Sequence, residues 1–176
     1  MPGDSPRPPG NRHPGGPVQH PRIFQISTSR GGVPKLAVPR AAITLEGPTT
    51  DEQADLKHHG GPERALCLYS LERILELQTE GHPIFPGAAG ENITLVGLPW
   101  EDVVPGCRIK LGGTVEIEIA SFTTPCATIK GFFRDEKPNR ISQKHHPGWS
   151  RVYARVLREG MVGVGDPVVM SQESPS

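Results

Sequence analysis

The sequence contains few cysteines and no long apolar run. Its three cysteines are an odd number and too few for a disulfide framework, which favours a reducing compartment such as the cytosol. No apolar stretch approaches the roughly 18 residues of a membrane span. We expect no secretory signal, because the N-terminus lacks an apolar core. The sequence therefore predicts a cytoplasmic protein without a membrane-spanning segment.

The sequence also lacks an excess of charge of either sign. Nineteen lysines and arginines balance 19 aspartates and glutamates, so the formal net charge is zero. A basic excess is the usual mark of nucleic-acid binding, and a run of charge is a mark of binding to a membrane surface. We therefore expect neither a nucleic acid nor a membrane as a partner.

Proline and glycine, in contrast, are abundant, with 20 and 21 residues in a chain of 176. Residues 1–21 hold seven of these prolines and almost nothing apolar, so they cannot bury enough surface to offset the entropy of ordering. We predict a disordered extension over residues 1–21, with a proline-rich docking peptide as the alternative. A single domain is predicted over 22–170, followed by a flexible tail over 171–176.

Short strands separated by turns dominate the predicted domain. Val115, Ile117 and Ile119 alternate with charged residues, which predicts a strand. Two glycines, Gly112 and Gly113, predict a hairpin turn between this strand and one at 108–111. Further strands are predicted at 23–27, 41–45, 65–68 and 152–157.

One helix signal stands out from these strands. Ser70 is a good N-cap, Leu71, Ile74 and Leu75 follow at helical spacing, and Gly81 comes after the last turn, which predicts a helix through residue 80. A mobile polar loop is predicted over 131–147. The whole pattern favours a mainly β domain with added helices and a barrel-like core.

Cys126 is the residue best placed to carry chemistry. Pro125 lacks an N–H and biases Thr124 away from helix, so the preceding strand is expected to end here. A thiol on a stiff turn at the end of a sheet can serve as a metal ligand or a nucleophile. The alternative is a buried cysteine that packs as a small apolar residue, which is our interpretation of Cys67. Cys107, at a turn before a strand, is interpreted as incidental.

Two further segments, 55–70 and 86–94, accompany Pro125-Cys126. In this order and at roughly this spacing, the three segments resemble the MOSC domain family, named after the C-terminal domain of molybdenum cofactor sulfurases. The resemblance is to the small stand-alone bacterial members most of all, and it covers about residues 22–170. Ile23-Phe24-Gln25-Ile26 before Gly31-Gly32, and Gly165-Asp166-Pro167-Val168 near the end, extend it.

The resemblance implies a β-barrel-like fold, a molybdenum cofactor (molybdopterin) in a cleft, and a cysteine that binds molybdenum or carries sulfur. A soft thiolate suits molybdenum better than imidazole or carboxylate, and Cys126 can supply it. The family is also associated in general with pyridoxal phosphate, which points to no residue here. The candidate cofactor-binding residues are Ser29, His58, His59, Gly60, Gly61, Arg64, Asn92 and Thr124.

Each of these candidates also has a structural interpretation. One of His58 and His59 can contact the pterin or the phosphate, while the glycines after them let the backbone approach the cofactor. Alternatively, both histidines belong to a polar turn. Zinc binding is disfavoured, because further ligands at the usual spacing are missing. Arg64 can pair with a phosphate or make a surface ion pair. Asn92 can read a pterin edge or shape its loop. Ser29 matches a phosphate-binding position of the family.

The sequence departs from the eukaryotic amidoxime-reducing relatives in two ways. Those relatives carry an arginine-bearing variant where this chain has Gly90-Glu91-Asn92, so the pterin contacts can differ. They also carry an additional N-terminal β-domain that this chain lacks, so their substrate pocket is not transferred.

The resemblance leaves three functions open. The first is a reductase of N-hydroxylated or N-oxidised compounds, such as hydroxylamino purines, in which Cys126 ligates molybdenum. Its electrons would come from an external donor protein, because no flavin fingerprint or iron–sulfur cysteine cluster is present. The second is a sulfur carrier that uses a persulfide on Cys126 and receives sulfur from a donor protein. The third is a cofactor-binding module without catalysis.

Overall fold

The computed structural model describes residues 20–29, 31–49 and 61–171. Most of the predicted N-terminal extension and all but the first residue of the predicted C-terminal tail lie outside the described residues, as do His58, His59 and Gly60. In chain order the strands are β1 (Arg22–Thr28), β2 (Leu36–Val38), β3 (Arg40–Thr44), β4 (Gly47–Pro48), β5 (Leu66–Ser70), β6 (Ile93–Val96), β7 (Arg108–Leu111), β8 (Val115–Phe122), β9 (Val152–Arg158), β10 (Gly160–Gly163) and β11 (Val168–Ser171).

Eight of these strands form one mixed sheet in the order β11-β7-β8-β9-β5-β6-β1-β2, and β10-β3-β4 form a second, smaller sheet. Only β5 and β6 run parallel among the paired strands of the described residues. Their connection contains α1 (Leu71–Thr79), because a parallel pair needs a crossover rather than a tight turn. The prediction of a mainly β domain with few helices is confirmed.

The barrel-like part of the prediction stays a prediction. The start of β1 reaches the segment before β11 through one antiparallel bridge, Arg22 with Pro167. The amide of Ile23 donates to the carbonyl of Asp166 at 2.9 Å. No continuous ladder joins the two ends of the large sheet in the described part of the chain.

The helix α1 forms where its local signals predict it. The Ser70 side chain accepts a hydrogen bond from the Arg73 amide at 3.2 Å, which satisfies one of the orphan donors of the first turn. Leu71, Ile74 and Leu77 are buried on one face. Leu75, which we expected on that face, is 48% exposed, because its position rotates it away from the sheet.

The predicted hairpin is also present, with a longer turn. Leu111 pairs with Val115, so Gly112, Gly113 and Thr114 form a three-residue turn instead of a two-glycine turn. The side chains of Ile109, Val115, Ile117 and Ile119 are buried, as their alternation with charged residues predicts.

The segment 131–147, predicted as a loop, is packed against the domain. It contains the end of the 3₁₀ helix Ala127–Phe132 and the 3₁₀ helix Pro138–Ile141. Phe133 and Ile141 belong to the hydrophobic core.

Candidate functional site

Cys126 lies at a fixed exit from β8. The amide of Thr123 donates to the carbonyl of Arg151 at 3.1 Å, and the hydroxyl of Ser150 donates to the carbonyl of Thr123 at 3.2 Å. These bonds tie the end of β8 to the residues that precede β9. Cys126 follows as the N-cap of the 3₁₀ helix Ala127–Phe132, partly exposed, with its thiol hydrogen-bonded to the hydroxyl of Thr128.

Tyr153, on β9, lies between the two strands, β5 and β8, next to which several of the candidates are found. It pairs with Cys67 on β5 and with Ser121 on β8, and residues directly opposite in a sheet project from the same face. Burial, followed by the charge that Cys67 can carry, raises the pKa of Tyr153 to about 12. The guanidinium groups of Arg151 and Arg64 act in the opposite direction, and the charge of Cys126 acts with that of Cys67. The phenol therefore stays protonated at neutral pH and remains a hydrogen-bond donor.

Arg64 is held over this tyrosine. It ends the 3₁₀ helix Pro62–Arg64, directly before β5, and its guanidinium carbon lies 5.2 Å from the centre of the Tyr153 ring. This is cation–π geometry, which fixes the arginine without using its five N–H donors. The Tyr153 ring lies beneath Arg64, and Tyr153 pairs with Ser121 on β8, the strand whose exit leads to Cys126, so one strand, β9, relates the segments of both predicted site residues.

Asn92 is buried, with 2% of its surface exposed, and its side-chain oxygen is hydrogen-bonded within the protein. Its side-chain oxygen accepts the Cys67 amide at 3.0 Å, and its backbone amide donates to the Cys67 carbonyl at 2.8 Å. Its own carbonyl accepts the Ser27 amide at 2.8 Å. Asn92 thus joins β1 to β5 where β6 begins, which is the loop-shaping role that was the alternative to pterin contact.

Glu91 shapes the loop before Asn92 from the inside. It is fully buried, and its Oε1 accepts the Gly87 amide at 2.6 Å. Burial raises the pKa of Glu91, while Arg151 acts in the opposite direction. Arg151, which is also buried, donates to the carbonyl of Ala89. A side chain at Gly87 would collide with the carbonyl of Lys35, and φ of 91° there also favours glycine.

The remaining described candidates lie at element ends: Ser29 after β1, Gly61 before the 3₁₀ helix Pro62–Arg64, and Thr124 after β8. Ser29 follows β1, two residues beyond Ser27, and its hydroxyl donates to the Gly32 carbonyl at 3.2 Å. Gly61 has φ of 96° and open space where a side chain would lie. Thr124 is exposed, between the end of β8 and Cys126. The candidates His58, His59 and Gly60 lie outside the described residues.

The other two cysteines differ from Cys126. Cys67 is buried, 6% exposed, as predicted for a core residue, although it directly faces Tyr153. Cys107 is half-buried, and burial raises the pKa of its thiol. In the described part of the chain, no three His, Cys, Asp or Glu side chains cluster as a metal site of their own.

Sequence reasoning missed Tyr153, Glu91 and Arg151. Glu91 lies in the segment 86–94, one of the three that resemble the family, and could have been chosen as the residue that organises this segment. Tyr153 and Arg151 carry no local signal, because their role depends on the pairing of β9 with β5 and on the buried loop at 86–92.

A half-open cavity of about 280 Å³ lies beside the exit of β8. Its walls include Trp100, Val103, Phe122 and Ser150, and the indole N–H of Trp100 donates to the Ser150 carbonyl at 2.8 Å. Cys126 is not among its wall residues. The cavity therefore adjoins the base of the cysteine loop and not the thiol.

The sequence and the fold both match known proteins. The family model of the MOSC domain matches residues 55–169. YflK, an uncharacterized protein of Bacillus subtilis, is 35% identical over 117 residues, which are 65% of this chain and 51% of YflK. A protein of Gibberella moniliformis named as a reductase is 30% identical over 123 residues, 67% of this chain and 21% of that protein.

Among solved structures, the crystal structure of YiiM from Geobacillus stearothermophilus superposes with a TM-score of 0.69 at 27% identity, over 86% of this chain and 75% of that chain. This chain spans only about half of YflK and a fifth of the fungal reductase. No helix in the described residues is long and apolar enough to cross a membrane. The family match covers well over half of the sequence and includes Cys126 and the loops around it, and the chain belongs to the MOSC domain family.

Proposed function

We propose that this protein binds a molybdenum cofactor and reduces N-hydroxylated or N-oxidised compounds, such as hydroxylamino purines, in a reducing compartment. The observation that supports the proposal is the contact of Arg64 with the ring of Tyr153, whose strand β9 is paired with β8, the strand that leads to Cys126. A cation that can bind phosphate and a thiol that can bind a soft metal are the two groups that a phosphorylated, metal-bearing pterin requires.

The donor set fits such a cofactor. Cys126 supplies one soft sulfur ligand, and the hydroxyl of Thr128, hydrogen-bonded to the sulfur, orients it. When bound, the cofactor supplies the oxygen-atom and electron-transfer chemistry, while the protein supplies orientation and a polar surround. MOSC proteins are associated with this cofactor, and that association supports the proposal.

Arg64 and Tyr153 are suited to hold the anionic end of the ligand. The guanidinium is presented by the aromatic ring beneath it, so less side-chain freedom is lost when it binds a phosphate. The Tyr153 phenol, with its raised pKa, donates a neutral hydrogen bond. Asn92 acts by positioning, since it fixes the loop at 86–92 against β5 and β1.

The reaction requires electrons from outside the protein. Reduction of an N–OH group breaks the N–O bond, takes up two electrons and two protons, and releases the amine and water. A separate electron donor must supply the two electrons, and solvent supplies the protons. The name of the fungal relative, a reductase, supports this reaction class.

Metal analysis of the purified protein tests the proposal. Expressed in a host that makes molybdenum cofactor, the protein should contain molybdenum in about equimolar amount and should reduce a hydroxylamino purine with reduced methyl viologen as donor. Cys126→Ser should lower both by at least about tenfold, because a hydroxyl is a poor ligand for a soft metal. Cys107→Ser, a matched change at another partly exposed cysteine, should lower neither.

Two results would contradict the reductase. A protein free of molybdenum that carries a cyanide-labile sulfur on Cys126 would favour the sulfur carrier. A protein with full molybdenum that does not reduce any N-hydroxylated compound would favour the binding module. Full activity of Cys126→Ser would exclude the assigned role of the thiol in the reductase and in the sulfur carrier.

A further inference from the structure

The segment that begins at Cys126 concentrates positive charge at the surface. Residues 127–146 contain five lysines and arginines against two acidic residues, in a chain whose net charge is zero. Arg140 is neutralised by Glu80, through hydrogen bonds of 3.1 and 2.8 Å. The other four cations are exposed and form no ion pair with the described residues: Lys130, Arg134, Lys137 and Lys144.

An aromatic pair, the exposed Phe85 and the partly buried Phe132, adjoins this segment. The rings of Phe85 and Phe132 meet edge to face with centres 5.5 Å apart, and Phe85 is 42% exposed. Phe85 directly precedes the loop at 86–92, and Phe132 ends the helix for which Cys126 is the N-cap. The pair therefore connects two elements of the candidate site at the surface.

Aromatic groups with charged residues beside them are typical of protein–protein interfaces, in which the apolar centre gives affinity and the charged rim steers the partner, and Lys130 and Arg134 each lie two residues from Phe132 in the chain. Four exposed cations that form no ion pair within the described part of the chain favour an acidic partner. Lys130, four residues after Cys126, places this surface next to the thiol.

We propose that Phe85, Phe132, Lys130, Arg134, Lys137 and Lys144 form the docking surface for an acidic electron-carrier protein, of the flavodoxin or ferredoxin class. The assignment rests on the proposed function, because it names the partner that delivers the two electrons of N–O bond reduction. Two one-electron transfers, from two reduced carrier molecules that dock in turn, oxidise their flavin or iron–sulfur centres; the N-hydroxylated substrate takes up the two electrons and two protons from solvent and is released as the amine and water.

Direct binding tests the surface independently of turnover. Oxidised flavodoxin and a [2Fe–2S] ferredoxin, both acidic, serve as probes, and at least one should bind the molybdenum-loaded protein at about 20 mM ionic strength and about tenfold more weakly at about 300 mM. The triple variant Lys130→Glu, Lys137→Glu, Lys144→Glu should bind at least about tenfold more weakly at low salt. Failure of both probes to bind the wild-type protein at low salt overturns the proposal.

A second triple variant provides a control with an equal change in charge. Arg40→Glu, Lys110→Glu and Arg158→Glu lie on β3, β7 and β9, outside the proposed surface, and form no ion pair with the described residues. Binding should stay within about twofold of the wild type, since local charge at the contact decides the effect. An equal loss of carrier affinity in both variants would show that binding depends on the net charge of the protein and not on this surface, and it would overturn the assignment. Both variants must melt like the wild type.

Turnover separates this inference from the proposed function. With the carrier protein as donor, kcat/KM for hydroxylamino purine should fall at least about tenfold in the first variant, whereas the rate with reduced methyl viologen should not fall, because a small donor needs no docking surface. Absence of viologen-driven reduction in the wild type counts against the proposed function and leaves the binding result valid. A variant that loses affinity for a DNA duplex but retains carrier binding and carrier-driven turnover overturns the proposal in favour of nucleic acid.

Discussion

At the scale of single residues, the candidate site contains two different thiols, the partly exposed one of Cys126 and the buried one of Cys67. Cys67 is buried against Tyr153 and belongs to the central strand β5. Cys67→Ala should lower the free energy of unfolding by about 1–2 kcal/mol, because it removes buried volume, and it should leave molybdenum content unchanged. Urea unfolding and metal analysis check this, with Cys107→Ala as the comparison. Loss of molybdenum at unchanged stability would show that Cys67 takes part in the chemistry.

Variants of Arg64 and Tyr153 should differ in how the rate of cofactor loss depends on salt. Arg64→Ala removes the cation proposed to bind the cofactor's phosphate, so cofactor loss on dialysis should become faster and less sensitive to added salt. Tyr153→Phe removes a neutral donor, so cofactor loss should become faster with the salt dependence of the wild type retained. Dialysis at several ionic strengths with metal analysis measures both. Equal salt slopes in the two variants would contradict a phosphate role for Arg64.

Some of these residues were accessible to sequence reasoning and others were not. Cys126 and Arg64 could be chosen as candidates from their residue types and the short motifs around them, without knowledge of the fold. Tyr153 gains its place only because β9 pairs with β5 and β8, and that register is set by contacts far apart in sequence. Asn92 was singled out for its hydrogen-bonding groups, but its partner, the Cys67 amide, lies 25 residues away.

At the scale of elements, local signals were decisive for α1 and the β7–β8 hairpin and insufficient elsewhere. Capping by Ser70 and alternation in β8 act within a few residues. The three-residue strand β2, largely exposed, has no such pattern. The sequence of segment 131–147 predicts a loop, because the segment is ordered by tertiary contacts and not by a local pattern. The Arg140 guanidinium lies 3.9 Å from the centre of the Trp149 ring and donates a hydrogen bond to Glu80 at the end of α1.

That contact predicts a pH dependence for the attachment of this segment. The hydrogen bond from Arg140 lowers the pKa of Glu80. A lowered pKa in the folded state gives stability that is present above the unfolded pKa and is lost as the pH falls through the folded value. Glu80→Gln should therefore destabilise the protein at pH 7, by less than about 1 kcal/mol because the pair is partly exposed. The difference from wild type should begin to shrink as the pH falls below the ordinary glutamate value of 4.5 and should vanish once the pH lies below the lowered pKa of Glu80 in the folded protein.

Thermal melts at pH 7 and in mild acid measure this difference. Glu46→Gln is the matched control, because Glu46 is exposed and forms no ion pair with the described residues. A Glu80→Gln penalty that stays constant with pH would mean that the carboxylate packs without an electrostatic role.

At the scale of the whole molecule, the candidate site joins strands from across the large sheet. Ser29 follows β1, Asn92 precedes β6, Arg64 precedes β5, Tyr153 lies on β9 and Cys126 follows β8. A ligand that contacts several of these groups is bound only when the strands are assembled. Binding should therefore stabilise the native state as a whole.

The loaded protein should consequently melt at a higher temperature than the protein without cofactor. At a cofactor concentration about a hundredfold above Kd, linkage gives about 2.7 kcal/mol, which corresponds to roughly 5–10 °C for a domain of this size. Arg64→Ala should reduce this difference, since weaker binding contributes less linkage energy, while the melting temperature without cofactor should stay close to wild type. Scanning calorimetry of both forms decides the matter. Identical melting of the loaded and cofactor-free proteins would mean that the ligand contacts only one loop and that the five elements do not form a single binding site.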